Sequence, residues 1–435
     1  MVDETDGEYP ETVTPGATRG DDTLLDDLLR AELDLGAMLF SAGSPGQRIL
    51  DSLNILNEKL QGGRMHVLLG FEALVISLER EGKQRVGMRQ LPLPTSMNGR
   101  ALVDISEYLH SLPSIAEPSR VSRDLLSLGQ RNIRSFLLPM VALVIFTAIF
   151  GYFNRADAWA LLIISIAALF AGITREQVMK YEFNYYLGVL TATLVATISA
   201  ALLSQVIPTQ TPLVSLIIPC VFLIPGFQLI NSGWEIMRNH MHIGVPRLMV
   251  FFSVLAIMSV GLLAVLLLYS PEIGSTGLYL THEQQLALDS LLGGLAAFSF
   301  CILIRGPRET FLVCILCGVV GRFVRSMVVE GGGPGYAGVF FGTFVLTALA
   351  ILVCSRLKLP IVIPLVAASV QFIPGYYYIL TLQGMASIIR LGPSAPYPDV
   401  ASMISTGLLT LFIAVAIVFG TLLPLLIMNR KARFY

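Results

Sequence analysis

From Phe136 onward the chain alternates long apolar runs with short polar breaks, and this pattern predicts ten membrane-crossing helices. The runs cover about 136–152, 157–173, 184–206, 212–232, 247–269, 286–304, 309–329, 335–355, 359–380 and 401–427. Most reach the ~20 residues that a helix needs to cross the hydrocarbon of a bilayer. The second reads as short, with Trp159 at its interfacial end. Upstream the pattern changes. Leu24, Leu25, Leu28, Leu29, Leu33, Leu35, Met38 and Leu39 recur at helical spacing, and Ser41 to Pro45 breaks that helix. Pro45 opens a second helix with Ile49, Leu50, Leu53, Ile55 and Leu56 on its apolar face. Strand-like runs follow at Met65 to Leu69, Ala73 to Leu78 and Gln84 to Met88, with a hairpin signal at Glu81, Gly82 and Lys83. A further helix covers about Gly99 to Ser111.

Two apolar runs contain the same interruption. Ile224-Pro225-Gly226-Phe227 and Ile373-Pro374-Gly375-Tyr376 read alike and lie 149 residues apart. Proline removes a backbone donor and glycine tolerates open geometry, so both spans should be broken helices. In hydrocarbon such a break survives only where protein or a water-filled cavity satisfies the freed groups. The whole span pattern repeats at an offset close to 150 residues. Each half has five spans, an odd number, so the second half must enter the membrane in the opposite sense. That is an inverted repeat, the arrangement of many transporters that expose one site alternately to the two sides.

The fold class expected is therefore mostly α: ten transmembrane helices in a five-plus-five inverted repeat, with an N-terminal cytosolic α+β domain. The boundaries read as a disordered acidic tail over 1–21, the α+β domain over 22–135 and a first repeat over 136–269. An external linker over 270–285, a second repeat over 286–427 and a basic cytosolic tail over 428–435 complete the chain.

Composition agrees. The chain is 54% hydrophobic and only 14% charged, which is a membrane composition. The net charge of −1 argues against a nucleic-acid partner. No signal-peptide pattern is read, so the N-terminal third is expected to be cytosolic and retained. With the N-terminus inside, the inner loops and tail carry eleven Lys and Arg and the outer loops only Arg155 and Arg390, a positive-inside bias. Arg120, Arg123, Arg131 and Arg134 approach the first span from the same side. Both termini should then be cytoplasmic. All five cysteines lie in apolar runs, and Cys314-x-x-Cys317 reads as packing rather than a metal or redox pair. No cofactor, metal or catalytic group is expected, and Gly331 to Gly335 reads as a turn rather than a phosphate loop.

The candidate binding residues follow from the breaks. Half-helix ends at Pro225, Gly226, Pro374 and Gly375 can meet a substrate's carboxylate or ammonium group. Gln228, Asn231 and Gln371 flank them and offer neutral hydrogen-bonding groups, or alternatively bond neighbouring helices. Arg322 lies deep in the seventh span, where a charge should face protein or water, and it can pair with substrate or with Asp289. Arg325 shares its helical face. Asp289, Glu235 and His240 are candidates for coupling or gating, with His240 and His242 also readable as a solvated surface segment. Gly338-x-x-x-Gly342 reads as a close helix contact.

These residues also carry a family resemblance. Leu223 to Gly226 with Asn231, Glu235, Gly244, Arg247 and Leu248 resembles the signature of the threonine/serine exporter family. Gly36, Met38, Leu39 and Ser41 to Gly43 resemble its cytosolic domain. Pro307, Arg308, Gly318, Gly321, Gly342, Pro360 and Ile373 to Gly375 are similar to its partner module. The resemblance spans roughly 22–427, with both modules fused. It departs at Glu235, Asn239 and His240, where the family pattern often has Asp, Gly and Asp. It implies efflux of a small-molecule substrate through the lipid bilayer, driven by membrane potential or protons, without nucleotide hydrolysis. The expected function is threonine and serine export, and a homo-oligomer is compatible with it. The alternatives are a dicarboxylate exporter of the succinate type, favoured by two intramembrane arginines, and a membrane-anchored sensor or enzyme.

Overall fold

In a computed structural model, residues 19–94, 96–113, 115–129, 136–181, 183–269, 274 and 281–428 are described. The expected disorder of the acidic tail, Arg131 and Arg134, the basic tail beyond Met428 and most of the linker lie outside them.

The N-terminal part opens with α1 (Arg19–Ser41) and α2 (Gly46–Leu60). A three-stranded antiparallel meander follows: β1 (Arg64–Leu69), β2 (Ala73–Arg80) and β3 (Lys83–Gln90). Glu81 and Gly82, both at positive φ, make the two-residue turn that pairs Arg80 with Lys83. Such a turn matches the twist of the flanking strands. Alternation along β2 buries Leu74, Ile76 and Leu78, and α1 covers that face with Leu25, Leu28, Leu29 and Leu33. Gly36 and Gly87 let helix and sheet close up, because a Cβ there would strike Leu74 or Leu29. α3 (Gly99–Ser111), capped by the Asn98 side chain, and α4 (Pro118–Gly129) complete the unit. Asp34 is buried between Arg89 and the Ser122 hydroxyl, tying α1 to β3 and α4. Glu32 is fully buried and both its carboxylate oxygens lack partners, so burial pushes its carboxyl up to about 8.

The rest is a bundle of apolar helices: α5 (Leu137–Phe153), α6 (Ala158–Lys180), α7 (Tyr185–Val206), α8 (Pro212–Ile217), α9 (Gly226–Met237) and α10 (Met241–Leu268). There follow α11 (His282–Leu303), α12 (Phe311–Glu330), α13 (Gly335–Leu357), α14 (Val362–Ser369), α15 (Gly375–Leu391) and α16 (Tyr397–Met428). Among the described residues seven helices are long and apolar enough to cross a bilayer, or nine if each of two bent pairs is one span. That set makes the chain a polytopic membrane protein. The count of ten is not reached on these criteria, because α5 has only 17 residues. The short span is thus the first and not the second. α6 has 23 residues, since its helix runs on through the polar stretch from Thr174 to Lys180.

Contacts within the two halves follow one order. α5 packs on α6, α6 on α7 and α7 on α10; α11 packs on α12, α12 on α13 and α13 on α16. The halves also exchange partners, α10 with α15 and α9 with α16. Glycines set the closest approaches. A Cβ on Gly338 or Gly342 would meet the Arg325 or Gly321 carbonyl, so α12 and α13 touch where that glycine pair was expected to act. Arg155 and Arg305, at matching places after α5 and α11, both adopt positive φ.

Candidate functional site

The two breaks share one backbone solution. A 3-10 turn, Ile218–Leu223 or Val370–Phe372, ends each first half-helix. Pro225 (φ −79°, ψ 71°) and Pro374 (φ −77°, ψ 55°) then form inverse γ-turns. These are closed by Gly226 N–H to Ile224 O at 2.8 Å and Gly375 N–H to Ile373 O at 2.7 Å. The spans bend there by 55° and 48°. The breaks also meet: Gly226 faces Ile373 and Val370, and Gly375 faces Phe150 and Ile218.

Beside the second break lies a cavity of about 600 Å³, within the size range of small-molecule sites. Its walls bring together Asp289, Arg322, Gln371, Pro374 and Gly375, five of the residues expected from sequence, and Arg325 with them. Arg322 is 5% exposed. Its Nη2 lies 3.4 Å from Asp289 Oδ2, its guanidinium stacks 3.5 Å over the Phe153 ring, and its Nε has no partner. Tyr152, from α5, lines the same cavity as Asp289. Gln371 donates to Ala368 O at 2.9 Å and Gly318 O at 3.2 Å, which leaves its buried Oε1 without a donor. Gly293 permits this grouping, because a Cβ there would fall 2.5 Å from Arg322 Cβ and 2.7 Å from Gln371 Oε1. At the rim, His282 Nε2 meets Glu330 Oε2 at 3.1 Å. One site thus offers a cation for a carboxylate, a carboxylate for an ammonium group, and an acceptor for a hydroxyl.

The first break is surrounded differently. Pro225, Gly226, Gln228, Asn231, Glu235 and His240 lie outside the cavity lining. Gln228, Asn231 and Glu235 face the N-terminal part. Gln228 Nε2 donates to Pro94 O at 2.8 Å and Asn231 Nδ2 to Gly43 O at 3.0 Å. Glu235 Oε1 accepts the Gly46 N–H at 2.5 Å, and Glu235 Oε2 is 3.3 Å from His240 Nδ1. Arg247 Nη2 donates to Ser44 O at 2.9 Å. On the second half, Gly99 N–H donates to Ile304 O at 2.8 Å. The cavity touches the His282 end of α11 and the N-terminal part touches its Ile304 end, so the two lie on opposite faces of the bundle.

Sequence reasoning passed over Tyr152, Arg155, His282, Tyr376 and Tyr377 as site residues. A tyrosine run directly after a Pro-Gly break was the available signal for the last two. Arg247, fully buried, was noted only as a loop charge and as part of the family signature. The five cysteines are buried thiols.

Residues 30–269 match the family model ThrE, described as "Putative threonine/serine exporter", and residues 289–427 match a second model described as "Threonine/Serine exporter, ThrE". An uncharacterized protein of Haemophilus influenzae is 28% identical over 147 residues, 34% of this chain and 49% of its own length. The chain thus spans about half the length of the curated relative it matches. No solved structure matches.

Proposed function

The chain belongs to the threonine/serine exporter family, and we propose that it exports small polar amino acids, threonine and serine first, by alternating access. One observation carries the choice of substrate. The cavity at the second break pairs Arg322 with Asp289 and holds the unpartnered Gln371 Oε1. A zwitterion with a hydroxyl group answers all three. Arg322 takes the carboxylate, with its free Nε adding to the fork that guanidinium offers. Asp289 takes the ammonium group and Gln371 Oε1 accepts from the hydroxyl.

The same reading takes α5 as a tenth span and the two sets of five as an inverted repeat. The matched γ-turns, the matched left-handed arginines and the parallel packing order support it. It places residues 22–135 and both termini in the cytoplasm, so the cavity opens outward. Entry of protons through Asp289 or the His282–Glu330 pair would couple export to the proton gradient. A dicarboxylate is the second reading, because Arg325 lines the cavity beside Arg322.

Efflux from proteoliposomes preloaded with labelled threonine, serine or succinate, with and without an imposed proton gradient, tests the proposal. Threonine and serine should leave, faster with the gradient. Succinate efflux alone would move the substrate to the second reading. Efflux of none of the three from folded, inserted protein would remove both.

A further inference from the structure

An inverted repeat that opens a vestibule beside the second break on one face should open its counterpart beside the first break on the other. In this structure the N-terminal part fills that place. The backbone from Gly43 to Gly46 lies against α9 and α10, and three of its polar groups meet buried side chains there. Ser44 O sits on Arg247, Gly43 O on Asn231 and the Gly46 N–H on Glu235. These three are a cation, an amide and a carboxylate, the same chemical set as Arg322, Gln371 and Asp289.

The loop leaves the set underused. Arg247 is fully buried, yet its Nε and Nη1 have no partner, and Gln228 Oε1 has none either. One carbonyl oxygen satisfies a guanidinium poorly, whereas a carboxylate can take two of its N–H groups at once. The Glu235 carboxylate acts on the Arg247 charge through space without bonding it, and the Phe40 ring lies 5.1 Å away.

We propose that Arg247, Glu235 and Asn231 form an inner amino-acid site, and that the Gly43–Gly46 backbone is its built-in occupant and competes with substrate for it. Substrate carboxylate replaces Ser44 O, and substrate ammonium replaces the Gly46 N–H. The N-terminal domain thereby becomes an inner gate: it seals the cytosolic face while the cavity at the second break is open, and cytosolic substrate releases it. This rests on the transport reading above and adds a site and a regulator to it.

Hydrogen exchange at the Gly46 amide, measured in the full-length protein with and without threonine, tests the competition. Threonine should speed exchange at least tenfold in the wild type. It should not do so in Glu235→Gln, whose amide oxygen still accepts the Gly46 N–H but carries no charge for an ammonium group. Exchange indifferent to threonine, in a wild-type preparation that exports it, overturns the proposal. A preparation that exports neither threonine nor serine overturns the transport reading and this proposal with it. A second variant approaches from the docked state. Gln47 of α2 and Ile361, just before α14, line one pocket where the N-terminal part meets the bundle, so Gln47→Cys with Ile361→Cys can be joined by a short bis-maleimide linker. The cross-link should stop efflux, and each single variant treated with the same linker should keep it. Efflux undiminished by a verified cross-link overturns the gate.

Discussion

The two helix breaks have one backbone and two environments. Both end in a 3-10 turn, both close an inverse γ-turn at proline, and both restart a helix at glycine. Around the second, side chains face a cavity; around the first, they hold another part of the same chain. The two breaks therefore share a backbone, while the side chains around each differ. The residues do not correspond. Gln371 precedes its break, whereas Gln228 follows the other, and at 149 residues' offset their counterparts are Phe222 and Tyr377. A repeat deduced from Ile-Pro-Gly alone locates two sites and says nothing of which is open.

The comparison can be broken most directly at its glycines. A Cβ on Gly375 would lie 2.8 Å from a Phe150 ring carbon, and Phe150 is buried at the wall of the cavity. A Cβ on Gly226 would meet only ordinary contacts at 3.8 Å and beyond. Gly375→Ala should therefore lower threonine efflux by about one to two orders of magnitude, the rate equivalent of the ~1–3 kcal/mol that overpacking costs. Gly226→Ala should change efflux less than about twofold, since nothing must move. Equal effects would mean that the breaks act alike, and the distinction drawn here would fall.

Asp289 sharpens the comparison on the cavity side. Asp289→Asn keeps the shape and removes the partner for an ammonium group. Threonine efflux should fall about ten- to a hundredfold, in line with loss of a charge-assisted hydrogen bond worth about 1.5–3 kcal/mol. Any succinate efflux should stay level or rise, since a negative charge leaves the site. The opposite pattern would favour a dicarboxylate as the native substrate.

A smaller effect separates the N-terminal part from both breaks. Burial raises the Glu32 carboxyl from its ordinary 4.5 to about 8, so the folded state holds a proton that the unfolded state has released. Stability should be greatest below pH 4.5, decline by at most ~1.4 kcal/mol per pH unit as pH rises toward 8, and level off above it. Glu32→Gln should flatten that slope and stabilise residues 22–129 at pH 8, measured as hydrogen-exchange protection of α1. A slope unchanged in the variant would assign it to other groups.

Much of this was legible in the sequence because the relevant forces are local or periodic. Apolar run length marked seven of the spans, Pro-Gly marked the two bent pairs, and the Glu81-Gly82 turn fixed the hairpin. Arg322 and Asp289 were legible as a pair because few charges lie so deep, and each then has few partners to choose from. What stayed hidden depended on contacts between distant segments. The reach from Gly46 to Glu235 spans 189 residues, and that from Ser44 to Arg247 spans 203. Gln228 and Asn231 look the same in sequence whether they bind a solute or a loop. The extent of α6 was misjudged for a different reason: a helix need not stop where its apolar stretch does.

The most direct test is equilibrium binding of labelled threonine to the purified full-length protein, wild type against Arg322→Gln. Binding should be saturable in the wild type, competed by serine, and weakened about a hundredfold or more in the variant, as loss of one partner from a buried charged contact implies. Threonine binding that is indifferent to Arg322 would contradict the assignment of the second break as the open substrate site.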